Sequence, residues 1–426
     1  MAAPRWLVAY SGGVDSAVLL HLLNAIPDRP PLLAVHINHQ LQVQAGDWEH
    51  HCRERAEHMG VAFYSEKVEV DCSSSPSLEQ AAREARYRVF EKLLQPGEVL
   101  LMGHHLDDQV ETLLLRLLRG SGSSGLAAMP RCRPLGHGLL LRPLLGFTRG
   151  DIETYARYHG LQWVDDPSND SSAFDRNFLR REVLPLVADR WPGYRATLAR
   201  AAALSEEAAQ LNRELAELDC HALSLSPLAL SLPIPALLEL SPGRCKNLLR
   251  FWLQSRQLAL PSAAQMEALL AEVVHARRDA EPLLEWPGVQ VRRFRDELYA
   301  MEPMSAFAGD RSYPLLPDRP TVVAGVGTVT LEPASTPGIA ARHLRAGNVE
   351  LRFRSGGERC RPQGRAGSQT LKKLMQEYGI ETWLRDRVPI VYIDGELAAV
   401  ADYWVCDGYE AAPGETAYRC RWQREF

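Results

Sequence analysis

Near its start the chain reads "RWLVAYSGGVDSAVLLHLL", residues 5 to 23. A short apolar run, a Ser-Gly-Gly-Val-Asp-Ser turn and a second apolar stretch at helical spacing describe a buried strand running directly into a helix. This junction limits the fold more than any other feature, because it belongs in an α/β sheet and builds an anion site. Glycine lets backbone approach a ligand with no Cβ in the way. The amides of the first helical turn have no partner within the helix, and the helix dipole favours negative charge there. Ser11 and Ser16 add hydroxyl donors, and Gly12, Gly13 and Val14 carry the turn. Phosphate suits such a site, yet neither G-x-x-x-x-G-K-S/T nor G-x-G-x-x-G is present. Asp15 instead puts an acid beside the expected phosphate. Anion beside anion calls for a bridging cation, so Mg²⁺ held by Asp15 is expected.

The pattern continues to about residue 165. "PLLAVHI" and "VLLMGHH" are further apolar runs of buried-strand type, whereas "VAFYSEKVEV" alternates and belongs nearer a sheet edge. "SLEQAAREARYRVFEKLL" is an amphipathic helix, with Ser77 and Gln80 spaced as a capping box, and "DDQVETLLLRLLRG" is a helix ending at Gly120. Strand and helix alternation predicts a doubly wound parallel sheet, whose ligands lie beyond the carboxyl ends of the strands. An Ala/Leu/Glu-rich helix at about 193–219 leads out of this α/β domain, placed at 1–215. Residues 216–303 read as a mostly helical middle domain. A Pro- and Gly-bearing linker at 303–321 then enters a small α+β domain, the segment 304–426 as a whole.

At 426 residues the chain exceeds one ordinary core. Apolar content of 46% and charged content of 24% are those of a soluble globular protein. No apolar run approaches the roughly 20 residues that span a bilayer, and residue 1 lies too close to the first strand for a signal peptide. A cytoplasmic protein off the membrane is therefore expected. Eight cysteines are scattered with no C-x-x-C and no zinc spacing, as reduced thiols are. The formal charge of −5 excludes a uniformly basic nucleic-acid coat but not a local patch. Such a patch runs from Arg352 to Lys373, where seven basic residues, Arg361, Lys372 and Lys373 among them, face one acid, Glu358. That is the footprint of phosphate-backbone binding.

One further cluster carries chemistry. In "HHLDDQVETLLLRLLRG", residues 104–120, His104 and His105 precede Asp107, Asp108 and Glu111 at a helix start. Capping accounts for one acid. Two histidines and three acids where a parallel sheet presents ligands can bind a metal, orient an amine or move protons.

The Ser-Gly-Gly-Val-Asp-Ser string resembles the PP-loop of N-type ATP pyrophosphatases, and residues 104–120 resemble the second signature of the tRNA(Ile)-lysidine synthetases. The resemblance continues through "HINHQL" (36–41), "SLEQAAREARY" (77–87), "GSSGLAAMP" (122–130), "LLRPLL" (140–145), "DDPSNDSSAFDRNFLRREVLP" (165–185) and "LRFRSGGERCRPQGRAGSQTLKKLMQE" (351–377). It covers the first domain thoroughly, the last well and the middle loosely. It departs at Phe178, where the family pattern has Arg.

The resemblance implies a ligase that adenylates O2 of the wobble cytidine, position 34, in a CAU-anticodon tRNA(Ile). Free L-lysine then displaces AMP to give lysidine. It implies ATP at Ser11–Ser16 with His36 and Asn38 bordering the same cleft, and His39 beside them. Asp107, Asp108 and Glu111 would hold the lysine ammonium, and one of them or His105 would take its proton. Arg116, Arg119, Arg176, Asn177, Arg180 and Arg181 would join the C-terminal patch in holding tRNA. Monomer and homodimer both remain open. So do a PP-loop tRNA thiolase, another PP-loop ATP-dependent ligase of the GMP or NAD synthetase kind, and a non-catalytic RNA-binding protein.

Overall fold

The computed structural model describes residues 3–40, 42–70, 78–165, 175–334 and 338–425. Leu41, the capping Ser77 and the expected turn at 166–169 lie outside these residues. The chain divides into two compact units, Met1–Asn212 and Arg213–Phe426. No helix among the described residues is long and apolar enough to cross a membrane.

In the first unit the elements run β1 (Trp6–Ala9), α1 (Val14–Asn24), β2 (Leu32–Asn38), α2 (Ala45–His58), β3 (Ala62–Lys67), α3 (Leu78–Leu93), β4 (Val99–Leu101), α4 (Leu106–Leu118), α5 (Ser123–Leu126), β5 (Cys132–Leu135), β6 (Gly138–Leu141), α6 (Arg149–Tyr158), α7 (Asp175–Phe178) and α8 (Leu184–Arg190), and α9 (Tyr194–Ala222) begins there and ends in the second unit. A wide π-helical stretch, Leu179–Val183, joins α7 to α8. The sheet order is β3-β2-β1-β4-β6-β5, parallel except for β5 against β6. The alternating segment forms edge strand β3, as expected.

The apolar runs are continuous because both sheet faces are covered. Along β1, Leu7 packs with Phe90, Leu94 and Leu140 on one face, and Val8 packs with Val18, Ala34 and Ile152 on the other. Strand order reverses beside β1, since β2 lies on one side of it and β4 on the other. The loops after β2, β1 and β4 therefore emerge side by side at the carboxyl edge.

The second unit holds the helical middle segment and the C-terminal segment. Helices Pro242–Ser255 and Ala263–Ala268 bury Leu248, Leu249, Trp252 and Met266. The middle segment also carries a four-stranded antiparallel sheet, Ser231–Pro233, Glu297–Met301, Val289–Phe294 and Leu283–Trp286 in that order, which the helical reading did not include. In the C-terminal segment the "GTVTLE" stretch is the strand Gly327–Ala334. Ile390–Ile393 and Glu396–Val400 pair across Asp394 and Gly395, both left-handed (φ 51° and 86°), as a two-residue hairpin turn requires. The stretch read as a linker is partly built in: Tyr313–Pro314 pairs with Val349–Arg352, and Leu315 is fully buried. A two-residue strand has no periodicity to display.

Candidate active site

The loop after β1 has the geometry its residues foretell. Gly12 has φ +88°, and a Cβ there would lie 2.7 Å from the Cys52 sulfur. Gly13 precedes α1 with no side chain capping the helix, so its first amides face outward for an anion. The Ser16 hydroxyl donates to the Gly13 carbonyl at 2.9 Å and lies 3.2 Å from the Ser11 hydroxyl. Gly103, at the end of β4, presses on the same loop: a Cβ there would meet the Asp15 carbonyl at 2.9 Å and the Ser16 nitrogen at 3.2 Å. Gly103→Ala is thus expected to displace the loop without unfolding the sheet. A tenfold or greater rise in KM for ATP, with an unchanged thermal melt, is the anticipated result; an unchanged KM would mean that the loop yields freely.

His105 is buried at the start of α4, where its backbone N–H donates to Asp108 Oδ2 at 3.0 Å. Its Nε2 lies 3.7 Å from Asp15 Oδ1 and 3.5 Å from Asp108 Oδ2, and its Nδ1 lies 3.7 Å from Asp107 Oδ2. Asp15 comes from α1, so β1 and β4 bring the two motifs into one cluster. Four arginines enclose it. Arg176 donates to Glu111 Oε2 at 2.6 Å and Asp108 Oδ1 at 3.0 Å. Arg180, in the π-helical stretch, donates to both Glu111 oxygens at 2.7 and 3.0 Å. Arg195 donates to Asp107 Oδ1 at 2.5 Å. The Arg149 amide donates to Asp107 Oδ2 at 2.9 Å, and its guanidinium lies 3.5 Å from Asp15.

These surroundings separate the acids. Burial raises the Asp15 carboxyl above the ordinary range, against the pull of His105 and Arg149. Burial also pushes Asp107 upward, but the Arg149 amide and Arg195 outweigh it and the net shift is down. Asp108 likewise ends below the ordinary range because His105 and Arg176 overcome its burial.

The cluster stands between two cavities. The first, of about 400 Å³, is lined by Ser11, Asp15, Ser16, His36, Asn38, His39, His104 and Asp108. His36 Nδ1 donates to the Tyr10 carbonyl at 3.0 Å, and Asn38 bonds Ala45, Glu49 and the Gln40 amide. Both residues shape the wall with polar atoms already engaged by protein. Burial drives His39 down to about 4 and His104 to about 3, so both are neutral near pH 7. The second cavity, of about 430 Å³, is lined by Asp107, Glu111, Arg149, Arg180, Leu184, Tyr194 and Arg195.

Asp15 Oδ1 is buried and without a hydrogen-bond partner. Among the described residues, no three or more His, Cys, Asp or Glu side chains are arranged to hold a metal ion by themselves. A single carboxylate with a free oxygen at a phosphate loop fits Mg²⁺, which takes one or two carboxylates and fills the rest of its shell with phosphate oxygens and water.

The residues expected at tRNA fall into three settings. Arg176 and Arg180 are inside the acid cluster, where a phosphate would compete with Glu111; Asn177 shares α7 with Arg176. Arg116 holds the Gly125 and Ala128 carbonyls at 2.9 and 2.6 Å and so fixes the Ser/Gly loop, while Arg119 makes an exposed pair with Asp175. In the C-terminal patch, Arg352, Arg354, Arg361, Arg365 and Lys373 pair with Glu350, Asp386, Asp407 and Glu377, acids outside the run. Among the described residues, Arg359 and Lys372 have no carboxylate within reach. Arg149 and Arg195 were not anticipated. The one local signal is the Thr148–Asp151 capping box, which marks a helix start beside the site without naming its target.

Family models match the chain in three places: a PP-loop domain at 1–187, a TilS substrate binding domain at 232–299 and a TilS substrate C-terminal domain at 349–422. The tRNA(Ile)-lysidine synthase of Coxiella burnetii is 41% identical over 421 residues, which is 96% of this chain and 90% of that protein. Those of Methylococcus capsulatus (41%, covering 97% and 95%) and Alkalilimnicola ehrlichii (44%, covering 97% and 92%) agree. The chain belongs to the tRNA(Ile)-lysidine synthase family. It is accordingly a ligase that forms a carbon–nitrogen bond, and its PP-loop domain is an ATP-binding one. Within that family the acid cluster and its two cavities are the candidate active site.

Proposed function

We propose that this chain attaches free lysine to C2 of the wobble cytidine, position 34, of a CAU-anticodon tRNA(Ile). Cytidine O2 first attacks the α-phosphorus of ATP and pyrophosphate leaves. The lysine ε-amine then attacks C2, and AMP departs with O2. The observation that carries this reading is the placement of one acid cluster between two cavities, in a chain of this family. The first cavity, opening on the PP-loop, suits ATP and the flipped base. The second suits lysine: Asp107 and Glu111 provide negative charge, Leu184 and Tyr194 an apolar wall for the methylenes, and Arg149 and Arg195 cations for the α-carboxylate.

Asp15 is the residue that would hold Mg²⁺, which when bound would offset charge on the departing pyrophosphate. Asp107 and Asp108, both more acidic than usual, stay ionised and attract the ammonium but are weak bases. Both Glu111 oxygens are engaged by arginines. We therefore assign proton acceptance to His105, whose ring nitrogens lie within 3.7 Å of three carboxylates. The domain division 1–215, 216–303 and 304–426 assigns ATP chemistry to the first segment and tRNA positioning to the other two.

A thiolase reading would need a reactive thiol in the cleft. Among the described cysteines, Cys52 packs against the loop, behind Gly12 and outside the cavity lining, with burial raising its thiol to about 12. The deciding experiment is incubation with ATP, Mg²⁺, radiolabelled lysine and unmodified tRNA(Ile) transcript. Label in the tRNA, and none in a transcript carrying uridine at position 34, is the expected result. ATP consumption without label in either transcript would overturn the reading.

Lys372→Ala with Lys373→Ala tests the patch. Lys373 approaches Glu377 only at 3.9 Å, so both lysines are available to phosphate. Each lost phosphate contact should lower the slope of log affinity against log salt by about 0.7–0.9. The double variant should bind tRNA more weakly and with the shallower slope, while KM for ATP and lysine holds. Parallel lines of equal affinity would remove the lysine pair from the interface.

A further inference from the structure

A second group of arginines, apart from the acid cluster, has no carboxylate partner among the described residues. Arg83 and Tyr87 lie on α3, Arg133 on β5, and Arg142 directly after β6. Arg142 is 2% exposed, and its partners are neutral: Nη1 donates to the Pro130 carbonyl at 2.6 Å, Nε to His104 Nδ1 at 3.3 Å, and Tyr87 accepts from it as well. Arg83 Nη2 donates to the Tyr87 hydroxyl at 3.4 Å, and the Arg83 and Arg133 guanidinium carbons lie 5.0 and 5.2 Å from the centre of its ring. The Tyr87 hydroxyl spends its proton on Met102 Sδ at 3.5 Å, leaving its oxygen to the guanidiniums. Among the described residues no carboxylate lies within 4.0 Å of Arg83, Arg133 or Arg142.

Three like charges gathered in a half-buried recess repel one another, and a buried cation with only neutral acceptors is costly. The strain is visible nearby. Burial and then Arg133 and Arg83 hold the Arg142 guanidinium below its ordinary range, and burial and Arg83 do the same to Arg116. The Tyr87 phenol is raised by burial, yet Arg83, Arg142 and Arg133 outweigh this and leave it more acidic than usual. An anion would relieve all of these at once. Forked, planar donors match the oxygens of phosphate.

We propose that Arg83, Arg133 and Arg142, gathered about Tyr87, form a phosphate site occupied by a backbone phosphate of the RNA substrate. This rests on the reading of RNA as substrate above. Two sources of phosphate are conceivable, the RNA backbone and the ATP polyphosphate. The latter already has the loop at the start of α1 and Asp15. The arginine group reaches the first cavity from another wall, through His104, which Arg142 holds, and Met102, which Tyr87 holds. A backbone phosphate seated there would deliver the adjoining base into that cavity.

The test uses the full chain with Arg83→Ala and Arg133→Ala, singly and together, at half-exposed positions, and Arg142→Lys to keep charge at the buried one. Binding of unmodified tRNA(Ile) transcript is measured over a salt series, and KM for ATP in parallel. The double variant should bind at least tenfold more weakly, with a slope lower by about 0.7–0.9, one phosphate contact. Arg142→Lys should fall between it and the unaltered chain, and KM for ATP should hold in the Arg83 and Arg133 variants. A raised KM for ATP with unchanged tRNA binding would assign the site to the nucleotide and overturn the RNA assignment. No change in either, from folded variants, would overturn the site. Failure of the parent chain to incorporate lysine, with the tRNA slope still falling in the variants, would defeat the proposed reaction and leave the phosphate site standing.

Discussion

Asp15→Asn is expected to lower ATP-dependent pyrophosphate release at least a hundredfold while leaving the protein as stable as before, or slightly more so. The two halves of this expectation have one cause. The carboxylate is half-buried with one oxygen unpartnered, and burial raises its pKa, so the fold disfavours the charge it carries there. For an acid whose folded value is raised, stability falls as pH climbs from its unfolded value of about 4 toward the folded one, and does not return above it. Asparagine removes that penalty and keeps the shape. It also removes the negative charge that suits this position to a cation at the phosphate loop, and loss of a group that stabilises transition-state charge is worth about 10²–10³ in rate. Pyrophosphate release and a thermal melt on the same preparation decide the matter. Normal release by a well-folded variant would return Asp15 to the role of an ordinary first-turn acid.

Glu111→Ala should fail in the opposite way, by stability first. Glu111 is fully buried and accepts from Arg176 and Arg180 through both oxygens. Removing one partner of a buried pair costs about 3–5 kcal/mol because the remaining charge is stranded. Asp108 stays within 3.0 Å of Arg176 and 3.6 Å of Arg180, which favours the lower end. About 3 kcal/mol corresponds to a fall of roughly 6–12 °C in melting temperature for a unit of this size. Glu111→Gln, which keeps the volume and one acceptor, should fall less. Lysine transfer should suffer in both, since α7 and the π-helical stretch are anchored to α4 through this residue. Equal melting temperatures for the parent and the alanine variant would show that the two guanidiniums find other partners.

The sequence displays what is locally determined. The strand at Trp6–Ala9 and the turn after it are legible because each residue has a nearby reason: apolar on both faces, then glycine for approach, serine for donation and aspartate for charge. The Asp107–Glu111 cluster is legible for the same reason. What Arg176 and Arg180 do is not, because a basic helix face reads alike whether it meets solvent or an acid 65 residues earlier in the chain. Arg149 and Arg195 reach Asp107 across 42 and 88 residues, a distance no periodicity spans. The middle sheet did leave a mark. "LLEWPGVQVRRFRDELYAM" holds three β-type runs separated by Pro-Gly and Arg-Asp turns, with Gly288 and Arg295 both left-handed (φ 81° and 56°), but it stands in a stretch dominated by helical patterns. The C-terminal patch shows the converse limit. Seven cations within 22 residues look like an open electrode until Glu350, Glu377, Asp386 and Asp407 fold in beside them.

The order of the first sheet bears on how this chain survives its own synthesis. β1 must await β4, some 90 residues later, before its second ladder closes, and parallel pairing of this kind is slow to form. Two outer strands also remain open to other chains, β3 during that wait and β5 once the chain has passed β4. Each is poorly suited to intermolecular pairing. β3 ends in the adjacent charges Glu66 and Lys67, and β5 carries Pro134, which has no N–H to offer and follows Arg131 and Arg133. The margins of the sheet are thus guarded against intermolecular pairing, β3 from the time it is made and β5 in the finished sheet.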